Sequence, residues 1–113
     1  MSFDDMMKEL HLEYIQNLPN KIREIENLFQ SKDCEGLESA FHKIKGTGKT
    51  YGVPEISILG KIMEQVCKDN NDIDYFVPKS LEILKKIEQH RRDGQSYNLD
   101  ADNIYLEVVK KAA

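Results

Sequence analysis

The sequence predicts an all-α protein, an antiparallel up-down four-helix bundle with a kinked long first helix and an extra short C-terminal helix. Apolar residues recur at steps of three and four along most of the 113 residues, which is the pattern of amphipathic helices. The alternation typical of strands is nearly absent, and the polar breaks are short, as in antiparallel bundles. We expect residues 1–93 to form the bundle, and residues 94–113 to form a loop and a short amphipathic helix packed on it.

The first two helices are predicted from their apolar stripes. The first stripe runs from Phe3 to Phe29 and keeps its phase through Pro19, which removes one backbone donor. A kinked helix, or two nearly collinear helices, is therefore expected. The connection that follows places Asp33 to cap the second helix. The stripe of the second helix consists of Leu37, Phe41, Ile44, Gly48 and Tyr51.

The third and fourth helices are separated by a polar loop. Pro54 suits the first turn of the third helix, because its missing N–H would have no partner there. Residues 68–74 are rich in Asn and Asp, which is typical of a loop. Basic residues near the end of the fourth helix interact favourably with its dipole.

The C-terminal segment predicts a short fifth helix. Residues 93–100 have the composition of a loop, and Asp100 can cap the apolar stripe that follows. A helix of about a dozen residues is not stable alone in water. We therefore expect it to fold back onto the bundle away from His42, the alternative being a dimer or partner interface. The stripe consists of Ala101, Ile104, Tyr105, Val108, Val109 and Ala112.

The charge balance excludes some classes of partner. The chain has 16 Lys and Arg against 20 Asp and Glu, a net charge of −4, which argues against nucleic acid or an anionic membrane as the main partner. No apolar stretch approaches the ~20 residues of a membrane span. Asp4 and Asp5 stand where a signal peptide carries basic residues, so we expect a cytoplasmic protein. Cys34 and Cys67 are isolated, and reduced thiols are expected.

One possible interpretation of residues 40–52 is nucleotide binding, which we reject. The sequence of this segment is AFHKIKGTGKTYG. GTGKT is similar to the end of a P-loop, whose backbone amides bind phosphates. That motif needs a glycine where Lys43 stands, and it needs a preceding strand. The residues before it have helical phase instead.

On a helix, the same segment predicts an exposed histidine beside cations. His42 lies away from the buried stripe, and Lys45, Gly46 and Lys49 share its face. Such a ring can accept a phosphoryl group, because nearby Lys charge disfavours its protonation and favours the neutral nucleophilic form. Lys45 and Lys49 can offset the added negative charge, and Gly46 leaves room for a partner to approach.

HKIKGTGKTYG resembles the signature of histidine-containing phosphotransfer (HPt) domains. That signature has a His, two residues, Lys-Gly, a small residue, and a Gly six residues after the first Gly. These positions are His42, Lys45, Gly46, Thr47 and Gly52. The resemblance covers roughly residues 10–92 and implies a four-helix bundle with His42 as phosphoacceptor and Lys45 assisting.

Glu64 stands where members of this family often have a Gln or another polar residue facing the His. It is either a solvated surface residue or a partner of the ring, for which two roles are open. A carboxylate there can accept a ring N–H and orient the other nitrogen, or it can hold a proton on the ring and slow phosphoryl acceptance. Glu64 is therefore a possible supporting residue. Lys49 is another, because it shares the face of His42.

The resemblance implies a phosphorelay intermediate of two-component signalling. His42 would take a phosphoryl group from a receiver-domain aspartyl phosphate and pass it to another receiver. The expected partners are receiver domains and a sensor or hybrid histidine kinase. We expect a monomeric carrier, not an enzyme, without a cofactor or metal of its own, since the partner supplies Mg²⁺. The alternatives are a helical adaptor that does not relay phosphate and the phosphoacceptor module of a chemotaxis-type histidine kinase.

Overall fold

In the computed structural model, which describes residues 2–113, the chain forms five α-helices. No strand is present among these residues, so the all-α prediction is confirmed. A short 3₁₀ turn, Leu99–Ala101, precedes the last helix. The helices are α1 (Phe3–Gln30), α2 (Cys34–Thr50), α3 (Pro54–Lys68), α4 (Ile73–Arg92) and α5 (Asn103–Ala112).

The helix starts follow from local capping chemistry. The Asp33 carboxylate accepts a hydrogen bond from the Gly36 N–H at 2.9 Å, which satisfies one of the free donors at the start of α2. Pro54 is the first residue of α3, as predicted. Asp72 caps α4 in the same way as Asp33 caps α2. Pro19 lies inside α1, which is a single helix of 28 residues.

The first four helices pack as a bundle in which α1 and α3 each contact both α2 and α4. Their apolar stripes meet in one core, which α1 joins from Tyr14 onward, whereas Phe3, the first residue of its predicted stripe, is 70% exposed. The largest fully buried side chains include Phe41, Phe76, Leu37, Met63 and Ile83. Truncation of such a phenylalanine to alanine costs about 3–5 kcal/mol of stability, so this core fixes the faces that α2 and α3 turn outward.

Two glycines allow α2 and α3 to approach closely. A Cβ at Gly48 would lie 2.9 Å from the backbone N of Ser57, and one at Gly60 would lie 2.8 Å from the backbone N of Lys45. Real Cβ atoms do not tolerate such distances. The absence of these Cβ atoms therefore lets the two backbones touch, which matters for the site described below.

The prediction that Asp100 caps the last helix is wrong. Asp102 is the cap, and its carboxylate accepts a hydrogen bond from the Tyr105 N–H at 2.9 Å. Asp100 lies in the 3₁₀ turn, where its own N–H donates to the Asn98 side chain. The helix begins later because residues 99–101 form the 3₁₀ turn, which buries Leu99 and leaves Asp102 as the residue before the helix.

Helix α5 lies against α4 and α3. Tyr105 and Val108 are buried and join the core, whereas Val109 is 37% exposed and Ala101 and Ala112 are exposed. The buried stripe is thus narrower than the sequence pattern indicates, because the bundle contacts only one side of this ten-residue helix at its edge. The two thiols are free, with Cys34 exposed and Cys67 buried. None of the helices within residues 2–113 is long and apolar enough to cross a membrane.

Candidate functional site

Helix α2 presents His42 to solvent. Its neighbours in the helical pattern, Phe41 and Ile44, are buried in the core, so the imidazole points to the outer face and is 66% exposed. Lys45 and Gly46 follow one turn later on the same face. A Cβ at Gly46 would meet nothing within 4 Å, so the surface beside His42 is open at this point.

Glu64 of α3 faces His42 across the helix pair, and its side chain is only 6% exposed. Its Oε2 lies 3.0 Å from His42 Nδ1 and 3.0 Å from the Lys45 ammonium. Its Oε1 lies 3.1 Å from the ammonium of Lys68, four residues later on α3. These four side chains, His42, Lys45, Glu64 and Lys68, form one connected group that we call the His42 cluster.

The close contact of α2 with α3 brings this cluster together. Gly60 lies one turn before Glu64 on α3, and a Cβ on it would clash with the backbone N of Lys45 and the carbonyl O of Phe41. Because that Cβ is absent, α3 lies directly against the turn of α2 that carries His42 and Lys45. The Glu64 carboxylate therefore reaches both side chains with hydrogen-bonding geometry.

Glu64 is ionised at neutral pH. Burial by itself raises the pKa of the carboxyl, but hydrogen bonds from Lys45, Lys68 and His42 outweigh this effect and lower the pKa to about 2. An ionised carboxylate only accepts hydrogen bonds, so the proton of the bond to His42 lies on Nδ1. The neutral ring then has its lone pair on Nε2, which has no hydrogen-bond partner among residues 2–113.

Lys49 is not part of this cluster. Its side chain forms no ion pair within the described part of the chain, and it lines a surface groove of about 510 Å³ together with His11 and Tyr51. The predicted approach of Lys49 to His42 is therefore not seen as a contact, although both side chains are exposed on α2.

The remaining motif residues hold the end of α2 in place. The Thr47 hydroxyl donates to the Lys43 carbonyl at 2.9 Å and accepts from the Tyr14 hydroxyl at 3.0 Å, which connects α1 to α2. Gly52 has φ +84°, in the left-handed region that glycine adopts without strain, and it turns the chain towards α3.

The other two histidines have structural partners. The Nδ1–H of His11 donates to the Tyr51 carbonyl at 2.7 Å, near the C-terminal end of α2. The Nδ1–H of His90 donates to the Lys86 carbonyl at 2.9 Å. Neither ring forms a hydrogen bond or an ion pair with a carboxylate in residues 2–113, which distinguishes both from His42.

The sequence analysis missed two residues of the site, Lys68 and Gly60. Lys68 follows Glu64 by four residues, which is the spacing of helical ion pairs, so this signal was present. Gly60 precedes Glu64 by four residues and interrupts an apolar run, which marks a possible close approach of two helices. Both signals point to the site only if Glu64 is buried, and its local sequence does not show that it is.

Comparisons with known proteins identify one family. A family model described as Hpt domain matches residues 9–92, well over half of the chain. The match includes the whole His42 cluster and excludes the C-terminal segment with α5. Comparisons with curated proteins and with solved structures gave no match.

Proposed function

The chain belongs to the Hpt domain family of histidine phosphotransfer modules in two-component signalling, and we propose that it serves there as a phosphorelay intermediate. In this role His42 accepts a phosphoryl group from an aspartyl phosphate on one receiver domain and passes it to another receiver. The observation that carries the proposal is the hydrogen bond from His42 Nδ1 to buried Glu64, which leaves Nε2 as the nucleophilic nitrogen on an exposed ring.

The transfer step uses the lone pair of Nε2. Its attack on phosphorus forms the N–P bond and breaks the bond between phosphorus and the aspartyl oxygen, so that an electron pair leaves on the partner's carboxylate. The imidazole ring, which keeps its Nδ1 proton, becomes positively charged. The Glu64 carboxylate at 3.0 Å stabilises this charge as it develops. Between the two roles left open for Glu64, this geometry favours orientation and stabilisation of the ring.

Lys45 and Gly46 act on the phosphoryl group itself. The Lys45 ammonium lies one helical turn from His42 and can offset the negative charge of the transferred group. The open space beside Gly46 admits the phosphoryl group and the active site of the partner. Neither residue forms or breaks a covalent bond in the transfer. In this proposal the chain is a carrier, and the reaction depends on groups from both proteins.

The partner supplies the rest of the chemistry in this proposal. Receiver domains and a sensor or hybrid histidine kinase are the partners, and the receiver contributes the phosphorylated aspartate together with Mg²⁺. The protein acts as a monomer in the cytoplasm. Among residues 2–113, no three His, Cys, Asp or Glu side chains are grouped in a way that would hold a metal ion.

Incubation with a panel of phosphorylated receiver domains tests the proposal. We expect acid-labile, base-stable label on the wild-type protein and none on His42→Gln. The matched control is His90→Gln, because His90 is a helical histidine outside the cluster, and this variant should be labelled normally. Circular dichroism checks that both variants remain helical. Label that persists on His42→Gln would show that another residue is the acceptor.

A further inference from the structure

The buried Glu64 carboxylate has two ammonium partners, one on each oxygen. Lys45 of α2 lies 3.0 Å from Oε2, the same oxygen that accepts the hydrogen bond from His42. Lys68 of α3 lies 3.1 Å from Oε1. The Lys45 side chain is 36% exposed and that of Lys68 is 50% exposed, whereas the carboxylate between them is 6% exposed.

The two lysines are not equivalent with respect to His42. Lys45 lies one turn from His42 on the same helix, so its ammonium can turn towards a phosphoryl group on Nε2. Lys68 lies on the opposite helix and contacts the oxygen that His42 does not use. Lys45 is thus positioned for two anions, the Glu64 carboxylate and the phosphoryl group, whereas Lys68 contacts only Glu64 in the described residues.

A buried carboxylate does not readily lose its only cationic partner. Removal of one member of a buried ion pair is strongly destabilising, because the remaining charge is neither solvated nor compensated. With Lys68 in place, Glu64 keeps a cation on Oε1 and the His42 N–H on Oε2 when Lys45 leaves. Without Lys68, Lys45 would have to leave the carboxylate with the N–H of a still neutral His42 ring as its one partner, since the ring gains its positive charge only as the phosphoryl group is transferred.

We propose that Lys68 is a positioning residue that compensates the charge of Glu64 and so frees Lys45 to bind the phosphoryl group on His42. This inference rests on the proposed function and deepens it, because it assigns a role to a residue that does not contact the transferred group. Lys68 acts through Glu64, and its effect on transfer depends on the negative charge of that side chain.

A double-mutant cycle tests this dependence. Lys68→Met should slow phosphoryl transfer from a phosphorylated receiver about tenfold, because Lys45 is then held by Glu64. In the Glu64→Gln background the neutral amide does not hold Lys45, so Lys68→Met should change the rate by less than about twofold. Lys68→Arg should restore most of the rate. The matched control is Lys61→Met, since Lys61 is exposed on the same face of α3 and forms no ion pair in the described residues.

Two outcomes overturn the inference. Equal slowing by Lys68→Met in both backgrounds would mean that Lys68 acts directly on the partner. An unchanged rate for Lys68→Met in the protein that keeps Glu64 would mean that Lys45 is free to bind the phosphoryl group without Lys68. In both cases wild-type labelling at His42 persists, so the proposed function survives. Failure of the wild-type protein to accept label would instead overturn the proposed function.

Thermal unfolding tests the sharing of Glu64 without any phosphoryl transfer. Lys45→Met should lower the melting temperature only slightly when Lys68 is present, and by roughly 5 °C more in the Lys68→Met background, where Glu64 loses its last cation. Equal shifts in the two backgrounds would show that the lysines do not substitute for each other, and the inference would be rejected.

Discussion

At the residue scale, Lys45 pairs with Glu64 through its ammonium and lies one turn from His42 on the same helix. Lys45→Ala should slow transfer about ten- to a hundredfold, because one charge-assisted contact worth roughly 1–3 kcal/mol is lost in the transition state. The fold should persist, since Glu64 keeps Lys68 as a partner. Single-turnover transfer and circular dichroism measure the two effects.

The matched control for Lys45→Ala is Lys43→Ala. Lys43 is an exposed lysine on the same helix, and its side chain forms no ion pair with the described residues. It should transfer at the wild-type rate. Equal losses in the two variants would attribute the effect to the overall charge of α2 and not to the position of Lys45.

The ionisation of Glu64 gives the protein a pH-dependent contribution to stability. The pKa of Glu64 is about 2 in the folded protein and near 4.5 when unfolded, so between these values the unfolded state binds more protons. The stabilisation is therefore complete above about pH 5 and is lost as the pH falls through 2. Urea midpoints should show the gap between wild type and Glu64→Gln shrinking from pH 6 to pH 2. A gap that stays constant over this range would contradict the ionised state of Glu64.

At the scale of the helices, the contact of α2 with α3 sets the geometry of the His42 cluster. Gly60→Ala places a Cβ within 3.0 Å of backbone atoms of Lys45, which cannot move aside as a flexible side chain can. The helices must separate, and we expect a loss of about 1–3 kcal/mol in the free energy of unfolding. Transfer should slow as well, because Glu64 moves away from His42. Urea unfolding and transfer kinetics measure these effects.

Gly46→Ala is the stability control for Gly60→Ala. Gly46 is also a helical glycine, but its Cβ direction is open to solvent. The better helix propensity of alanine should keep stability level or raise it by up to about 1 kcal/mol. If Gly60→Ala were equally stable, the close helix contact would not be the reason for glycine at that position.

At the scale of the whole molecule, the contacts of Glu55 with the C-terminal segment lie apart from the His42 cluster along α3. The Glu55 carboxylate at the start of α3 binds the Arg91 guanidinium at 2.7 and 2.8 Å and accepts from the Tyr97 N–H at 3.0 Å. Glu55 and Glu64 are nine residues apart, about 13 Å along the helix. The contacts that Glu55 makes with Arg91 and Tyr97 are thus separate from the His42 cluster.

Truncation after Asp93 should lower stability and leave transfer nearly unchanged. It removes Leu99, Tyr105 and Val108 from the core, each a side chain whose burial contributes roughly 1.5–3 kcal/mol before ordering costs. Melting temperature and transfer rate are the measurements, and Leu106→Ala is the control, since Leu106 is 46% exposed. If the truncated protein melts normally but loses an oligomeric state or a partner, the segment is an interaction element instead.

Most of the fold was predictable because helix phase and capping are local properties. The stripe through Phe41 and Ile44 specified which side of α2 is buried, and the exposed position of His42 followed from it. Asp33 and Pro54 marked where helices begin. The resemblance to HPt domains, drawn from residues 42–52, is confirmed by the family match. These features need only the spacing of residues within one segment.

The sequence by itself determined the helices, most of the apolar residues on their inward faces, and the family. Only the tertiary structure decided that Glu64 is buried between Lys45 and Lys68, that Lys49 stays outside the cluster, and that Asp102 replaces Asp100 as a cap. The physical reason is that helix phase is fixed within about two turns of chain. The register between two helices depends instead on which residues let their backbones touch, and here that contact is made at Gly60.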